Sequence, residues 1–131
     1  EHQLNEEYFD EDIYDFKEKR VNSFPLLIKN INDHKMQNIV PIISDAYDLS
    51  SKWSAKLGML FIDGGHSLES AMSDYNSWES KILCNGALVI HDIYEKPEDG
   101  GQAPFEIYKK ALENNYKLYE RVDTIVCLIK G

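Results

Sequence analysis

Apolar positions along the chain fall into short blocks separated by polar turns, and the spacing within the blocks changes. Leu57-Gly58-Met59-Leu60-Phe61-Ile62 and Ala87-Leu88-Val89-Ile90 are continuous apolar runs of strand length. Asn38-Ile39-Val40-Pro41-Ile42-Ile43 reads as a further, β-branched strand, whose proline suits an edge or near-edge position. Between the first two runs, Leu68, Ala71, Met72, Tyr75, Trp78 and Ile82 recur at helical spacing. That predicts a helix over 68–83, capped by Ser67 and closed by the turn Asn85-Gly86. Further helices are expected over 24–34, opened by Pro25, over 47–55, carrying Trp53, and over 104–114, with Phe105, Tyr108 and Leu112 as its buried stripe. Tyr116 to Lys130 reads as two strands forming an antiparallel pair around Arg121-Val122-Asp123-Thr124. Residues 1–19 are polar with scattered aromatics, an irregular segment or a short helix.

Apolar strands alternating with amphipathic helices specify an α/β fold, a mostly parallel sheet covered on both faces with a C-terminal antiparallel pair. At 131 residues the chain fits a single domain, 1–131, divided into an acidic N-terminal segment 1–19 and an α/β core 20–131. The net charge is -9, and the first eighteen residues hold eight acids against one base. No basic stripe exists, so nucleic acid is not an expected partner. No apolar run approaches the ~20 residues that span a bilayer, so no membrane is expected either. Cys84 and Cys127 lie beside apolar runs and outside any CxxC pair. They read as reduced, structural thiols in a cytoplasmic protein.

The polar residues that interrupt this pattern gather at strand ends. The run 57–62 stops at Asp63-Gly64-Gly65-His66, and the run 87–90 stops at His91-Asp92. In open α/β sheets, ligands bind outside the carboxyl ends of the strands. Two strands joined by one helix are expected neighbours, so Asp63, His91 and Asp92 should meet at one lip of the sheet. Two carboxylates and an imidazole can hold a divalent cation, magnesium or a transition metal. Turn chemistry offers a second reading for each, with Asp63 capping the following helix and His91-Asp92 tied to a loop. His66, in a glycine-rich turn before a helix, is of a residue type suited to proton transfer near neutrality; a solvent-exposed turn residue is its other reading. Trp53 and Trp78 are expected in the core, and Asp74 between the stripe positions carries no assigned role.

Taken together, Leu60-Phe61-Ile62-Asp63-Gly64-Gly65-His66-Ser67, then Asp74-Tyr75 and Trp78, then Asn85-Gly86-Ala87-Leu88-Val89-Ile90-His91-Asp92 resemble the class I S-adenosylmethionine-dependent methyltransferases. The nearest branch is similar to the cation-dependent O-methyltransferases, and the resemblance covers roughly residues 38–131. It implies a Rossmann-like sheet and S-adenosylmethionine as cofactor. It implies magnesium or another divalent cation on Asp63, His91 and Asp92, and His66 as the catalytic base. Ser44-Asp45-Ala46 resembles the family's adenine-contacting turn, so Asp45, Ala46, Asp63 and Gly64 are the implied cofactor-binding residues. The acceptor would be a hydroxyl of a small molecule or sugar. No GxGxxG-like run stands upstream, so the expectation is a domain whose first strands are missing. Its exposed sheet edge would be open to pairing with a second copy. The rival expectations are a non-catalytic α/β module and a metal-dependent hydrolase built on Asp63, His91 and Asp92.

Overall fold

The computed structural model describes residues 13–64 and 67–131. The chain divides into two compact units, Glu1–Ile43 and Ser44–Gly131. The sequence had suggested a boundary at 19/20 within one domain.

The described part of the first unit starts with a small hairpin, strands β1 (Tyr14–Asp15) and β2 (Arg20–Val21), paired antiparallel. Asp15 builds its turn by accepting hydrogen bonds from the backbone amides of Lys17 and Glu18, both at 3.0 Å. Lys19 takes a left-handed backbone at φ 53° to complete it. Helix α1 (Phe24–Asp33) follows, with Pro25 in its first turn. The strand expected over 38–43 does not form: no residue there joins a ladder. An extended run becomes a strand only when a neighbouring backbone takes its N–H and C=O groups, and Pro41 has no N–H to offer. Within the described residues, Val40 and Ile43 are left 80% and 78% exposed.

The second unit is a four-stranded mixed sheet with helices α2 (Ala46–Lys52), α3 (Leu68–Trp78) and α4 (Ala103–Glu113). Its strands are β3 (Leu57–Ile62), β4 (Ile82–Ile90), β5 (Tyr116–Val122) and β6 (Ile125–Lys130), in the spatial order β3-β4-β6-β5. β3 and β4 run parallel, with α3 as their crossover, whereas β4–β6 and β5–β6 are antiparallel. The C-terminal hairpin is therefore present as expected, and Asp123 at φ 54° supplies its left-handed turn.

Three local expectations are corrected. Helix α3 ends at Trp78 rather than at 83, a short 3₁₀ turn covers Glu79–Lys81, and β4 starts at Ile82. Asn85-Gly86 therefore lies inside β4, not at a helix exit. Leu57 pairs with Ile82 but Met59 pairs with Ala87, so β4 carries extra residues in a bulge. Asn85 turns it at φ 62°. Gly86 is required there, because a Cβ would come within 2.8 Å of the Leu83 carbonyl oxygen and of Ile82 Cγ2. Helix α2 stops at Lys52, short of 55, because Trp53 takes extended backbone. The buried stripe of α4 is Ala103, Ile107 and Ala111, while Leu112 is exposed. Small residues at that spacing let the helix axis approach the sheet, and Phe105 and Tyr108 flank it partly buried.

The core lies on one face of the sheet. Leu88, Ile90, Val126 and Leu128 point to that face and pack with Ala71, Tyr75, Ile107 and Ala111 of the helices. The opposite face was expected to be covered as well. Within this unit Met59 and Phe61 point away from the core and are 61% and 49% exposed. Cys84 and Cys127 are free thiols, the first exposed and the second half-buried. Among the described residues no helix is long and apolar enough to cross a membrane.

Ile107 is fully buried at the centre of this core. Ile107→Ala should remove about 2–5 kcal/mol of stability, read as a lowered urea midpoint with unchanged slope. A loss below about 1 kcal/mol would show that α4 is not packed as described.

Candidate active site

The site is set by the register of two parallel strands. Ile62 stands opposite Ile90, so β3 and β4 finish side by side. The first residues beyond them are then held close: the His91 amide donates to the Ile62 carbonyl at 3.1 Å. The His91 imidazole Nδ1 lies 3.0 Å from Asp63 Oδ1 and 3.3 Å from Asp92 Oδ1. Asp92 reaches inward because its backbone is left-handed, φ 59°, a conformation that aspartate tolerates better than most side chains. One potential ligand atom from each of Asp63, His91 and Asp92 lies within 4.8 Å of the others.

This geometry decides between the earlier readings of Asp63. Helix α3 is capped by Ser67, whose Oγ accepts from the Ser70 amide at 3.2 Å. Asp63 is thus not its cap, and its carboxylate turns to His91 instead. Asp63 is exposed and His91 and Asp92 are partly buried, so a cation or an acceptor oxygen can reach them. Two carboxylates around one imidazole nitrogen form a donor set that a proton or a divalent cation can bridge.

The chain leaving this cluster is anchored. The Ile93 amide donates to the Thr124 carbonyl at 2.9 Å. Arg121 reaches from the end of β5 to Glu95 Oε1 at 2.6 Å and to the Ile93 carbonyl at 3.4 Å. These groups wall an open cavity of about 390 Å³ bounded by residues 93–96, Asp99, Arg121, Asp123 and Thr124.

On the other side of β3, Ala46, Leu60, Phe61, Ile62, Asp63, Gly64, Asp74 and Trp78 enclose a cavity of about 250 Å³. Trp78 fixes one wall, its indole N–H donating to the Ala46 carbonyl at 3.0 Å. Asp45 lies just before α2 and acts as its N-cap, Oδ1 accepting from the amides of Tyr47 and Asp48 at 2.9 and 3.1 Å. Asp45 borders a second, more polar cavity of about 350 Å³, shared with Ser67, Glu69 and Asp74.

The structure therefore gathers Asp63, His91 and Asp92 into one cluster. It places Ala46, Asp63 and Gly64 on one cavity and Asp45 on the next. His66 lies outside the described residues. Two residues were missed. Trp78, expected in the core, lines the cavity and holds Ala46. Asp74, given no role, borders both cavities. Burial first, and the neighbouring Asp45 carboxylate second, push the Asp74 carboxyl up from its ordinary value. The signal was available in the sequence: Ser70, Asp74 and Trp78 stand four residues apart, a ridge beside the buried Ala71 and Tyr75.

Residues 4–93 match a protein family described as a methyltransferase domain. Among solved structures the fold is similar to a Staphylococcus aureus protein provisionally named a caffeoyl-CoA O-methyltransferase, with a TM-score of 0.59 at 14% identity. That similarity covers 79% of this chain and 57% of the other, so the chain spans a little over half the length of that relative.

Asp45→Ala should cost about 0.5–2 kcal/mol through the lost cap, and Asp45→Ser should recover most of it, both read from urea denaturation. For Asp74, folding raises the pKa, so the folded chain binds the proton more tightly than the unfolded one. The resulting stabilisation is absent above the raised value, grows as pH falls through it, and is complete below the ordinary ~4. Asp74→Asn should therefore be more stable than the parent chain at neutral pH, and the difference should shrink in acid. A pH-independent difference would remove the case for a desolvated carboxylate.

Proposed function

The chain belongs to the methyltransferase-domain family, and from that premise we propose that its site serves the transfer of a methyl group from S-adenosylmethionine to a hydroxyl of a small molecule or sugar. The observation that carries this reading is the meeting of Asp63, His91 and Asp92 at the ends of β3 and β4. Such a cluster suits chemistry in which an oxygen must be oriented and made more acidic before it attacks.

Bound S-adenosylmethionine supplies the activated methyl group, and a divalent cation on Asp63, His91 and Asp92 would supply Lewis acidity toward the acceptor oxygen. The remaining work belongs to the chain. Asp45, Ala46, Asp63 and Gly64 form the cofactor side, with the cavity beside Trp78 holding part of the adenosyl group. His66, three residues after Asp63, is the base that takes the hydroxyl proton. The anchored stretch 93–96 and Arg121 bound the acceptor side, whose mixed charge favours a polar, hydroxylated molecule over an apolar one. The residues fit a cation on chemical grounds: two hard oxygen donors and one imidazole are gathered within 4.8 Å of one another.

Calorimetric titration of S-adenosylhomocysteine into the chain, with magnesium or manganese present, tests the reading. Binding on the order of micromolar is expected. In parallel, Asp63→Asn combined with Asp92→Asn should weaken manganese binding by at least about tenfold. A chain that binds neither ligand is not the cofactor-binding part of such an enzyme.

A further inference from the structure

Asp45, Asp63, Glu69 and Asp74 are the carboxylates that border the two cavities. Asp63 is turned to His91 and Glu69 borders the polar cavity alone, whereas Asp45 and Asp74 are used differently. Asp45 Oδ1 is committed to the amides of Tyr47 and Asp48, and its side chain lines only the polar cavity. Asp74 lines both cavities, and among the described residues its carboxylate accepts no hydrogen bond. Its Oδ2 hangs over Gly64, 3.4 Å from where a side chain at that position would begin. Water reaches this half-buried carboxylate through the open cavities, and a ligand that displaced the water would have to bring an N–H of its own or leave the charge unpaired.

The cavity beside it limits what that ligand can be. Its apolar walls are Ala46, Leu60, Phe61, Ile62 and the Trp78 ring, whose N–H is already used on the Ala46 carbonyl, and its polar margin is Gly64, Asp74 and Asp63, the last already partnered by His91. At about 250 Å³ it is smaller than a whole small-molecule pocket, roughly 300–1,000 Å³, and suits one flat heterocycle. A flat ring seated on apolar walls, with one unpartnered carboxylate at its margin, should carry an N–H at its edge.

We propose that Asp74 is a specificity-determining residue of the cofactor pocket, accepting a hydrogen bond from the exocyclic amino group of the adenine ring. Asp45 then serves the pocket through the backbone it caps. The proposal rests on the cofactor reading above and gives the amino group to Asp74 rather than to Asp45 of the turn that resembles the family's adenine-contacting turn. The partly desolvated state of Asp74 is the reason the contact discriminates, because removing the amino group leaves the charge unanswered again.

The test titrates two ligands by calorimetry: S-adenosylhomocysteine, and its analogue with hydrogen in place of the 6-amino group. Each is titrated into the parent chain and into Asp74→Ala, Asp74→Asn and Asp45→Ser. The parent should prefer the amino ligand by about tenfold or more, as expected for a hydrogen bond to a charged acceptor. Asp74→Ala should bind the two ligands within about twofold of each other. Asp74→Asn, nearly isosteric and relieved of a destabilising charge, covers the case in which the alanine variant does not fold, and should show a reduced preference. Asp45→Ser keeps the cap, and whatever its effect on overall affinity, the ratio between the two ligands should stay that of the parent. A full preference in both Asp74 variants, or its disappearance in Asp45→Ser alone, would overturn the assignment. If the parent binds S-adenosylhomocysteine without preferring the amino group, Asp74 recognition fails while the cofactor reading stands. If the parent binds neither ligand, the cofactor reading itself fails and takes the proposal with it.

Discussion

The parallel register of β3 against β4 is the constraint on which the site depends. Ile62 opposite Ile90 makes the two strands end together, and the His91 amide extends the ladder by one more bond to the Ile62 carbonyl. A slip of one residue would turn Leu60, Ile62, Leu88 and Ile90 from the core to the open face. Burial on that face therefore holds the register, and the register holds Asp63 within reach of His91 and Asp92. The cluster is formed by polar groups at the surface, but their positions are maintained by buried apolar ones.

Helix α3 shows how one element serves both purposes. Ala71 and Tyr75 face the core, and Tyr75 is 1% exposed. One helical step round, Ser70, Asp74 and Trp78 face the cavities, and the Trp78 indole ties this ridge to the start of α2. The turn at Asp45-Ala46 is thus positioned by a side chain 32 residues further on. Helix α2, of 7 residues, is too short to be stable by itself, and the Asp45 cap and this tether hold its first turn.

Strain and charge are concentrated on the other side of β4. Asp92 is held left-handed immediately after the strand. The next residues are pinned to the β5–β6 hairpin by the Thr124 carbonyl and by Arg121. A guanidinium bridging a carboxylate and a carbonyl is a directional clamp, because its donors lie in one rigid plane. It limits the paths by which Asp92 could leave the cluster, and it makes the antiparallel hairpin part of the site rather than a closing ornament of the sheet.

The sequence alone determined the elements with strong periodicity and the chemistry at their ends. The runs 57–62 and 87–90, the helix beginning at Leu68, the terminal hairpin, and Asp63, His91 and Asp92 as one cluster were all legible, because each follows from local pattern and from parallel connection. Tertiary structure decided what depends on a partner. The run 38–43 has strand composition but, among the described residues, no ladder. Asn85-Gly86 has the composition of a helix exit, yet β4 absorbs it as a bulge. Leu112 looked like core, but Ala103, Ile107 and Ala111 let α4 approach more closely. Asp63 could have been a cap until Ser67 took that role. Asp74 acquired meaning only when two cavities met at its carboxylate. Periodicity reports which way a residue faces along its own element, whereas pairing, close approach and shared cavities depend on what the other elements bring to that face.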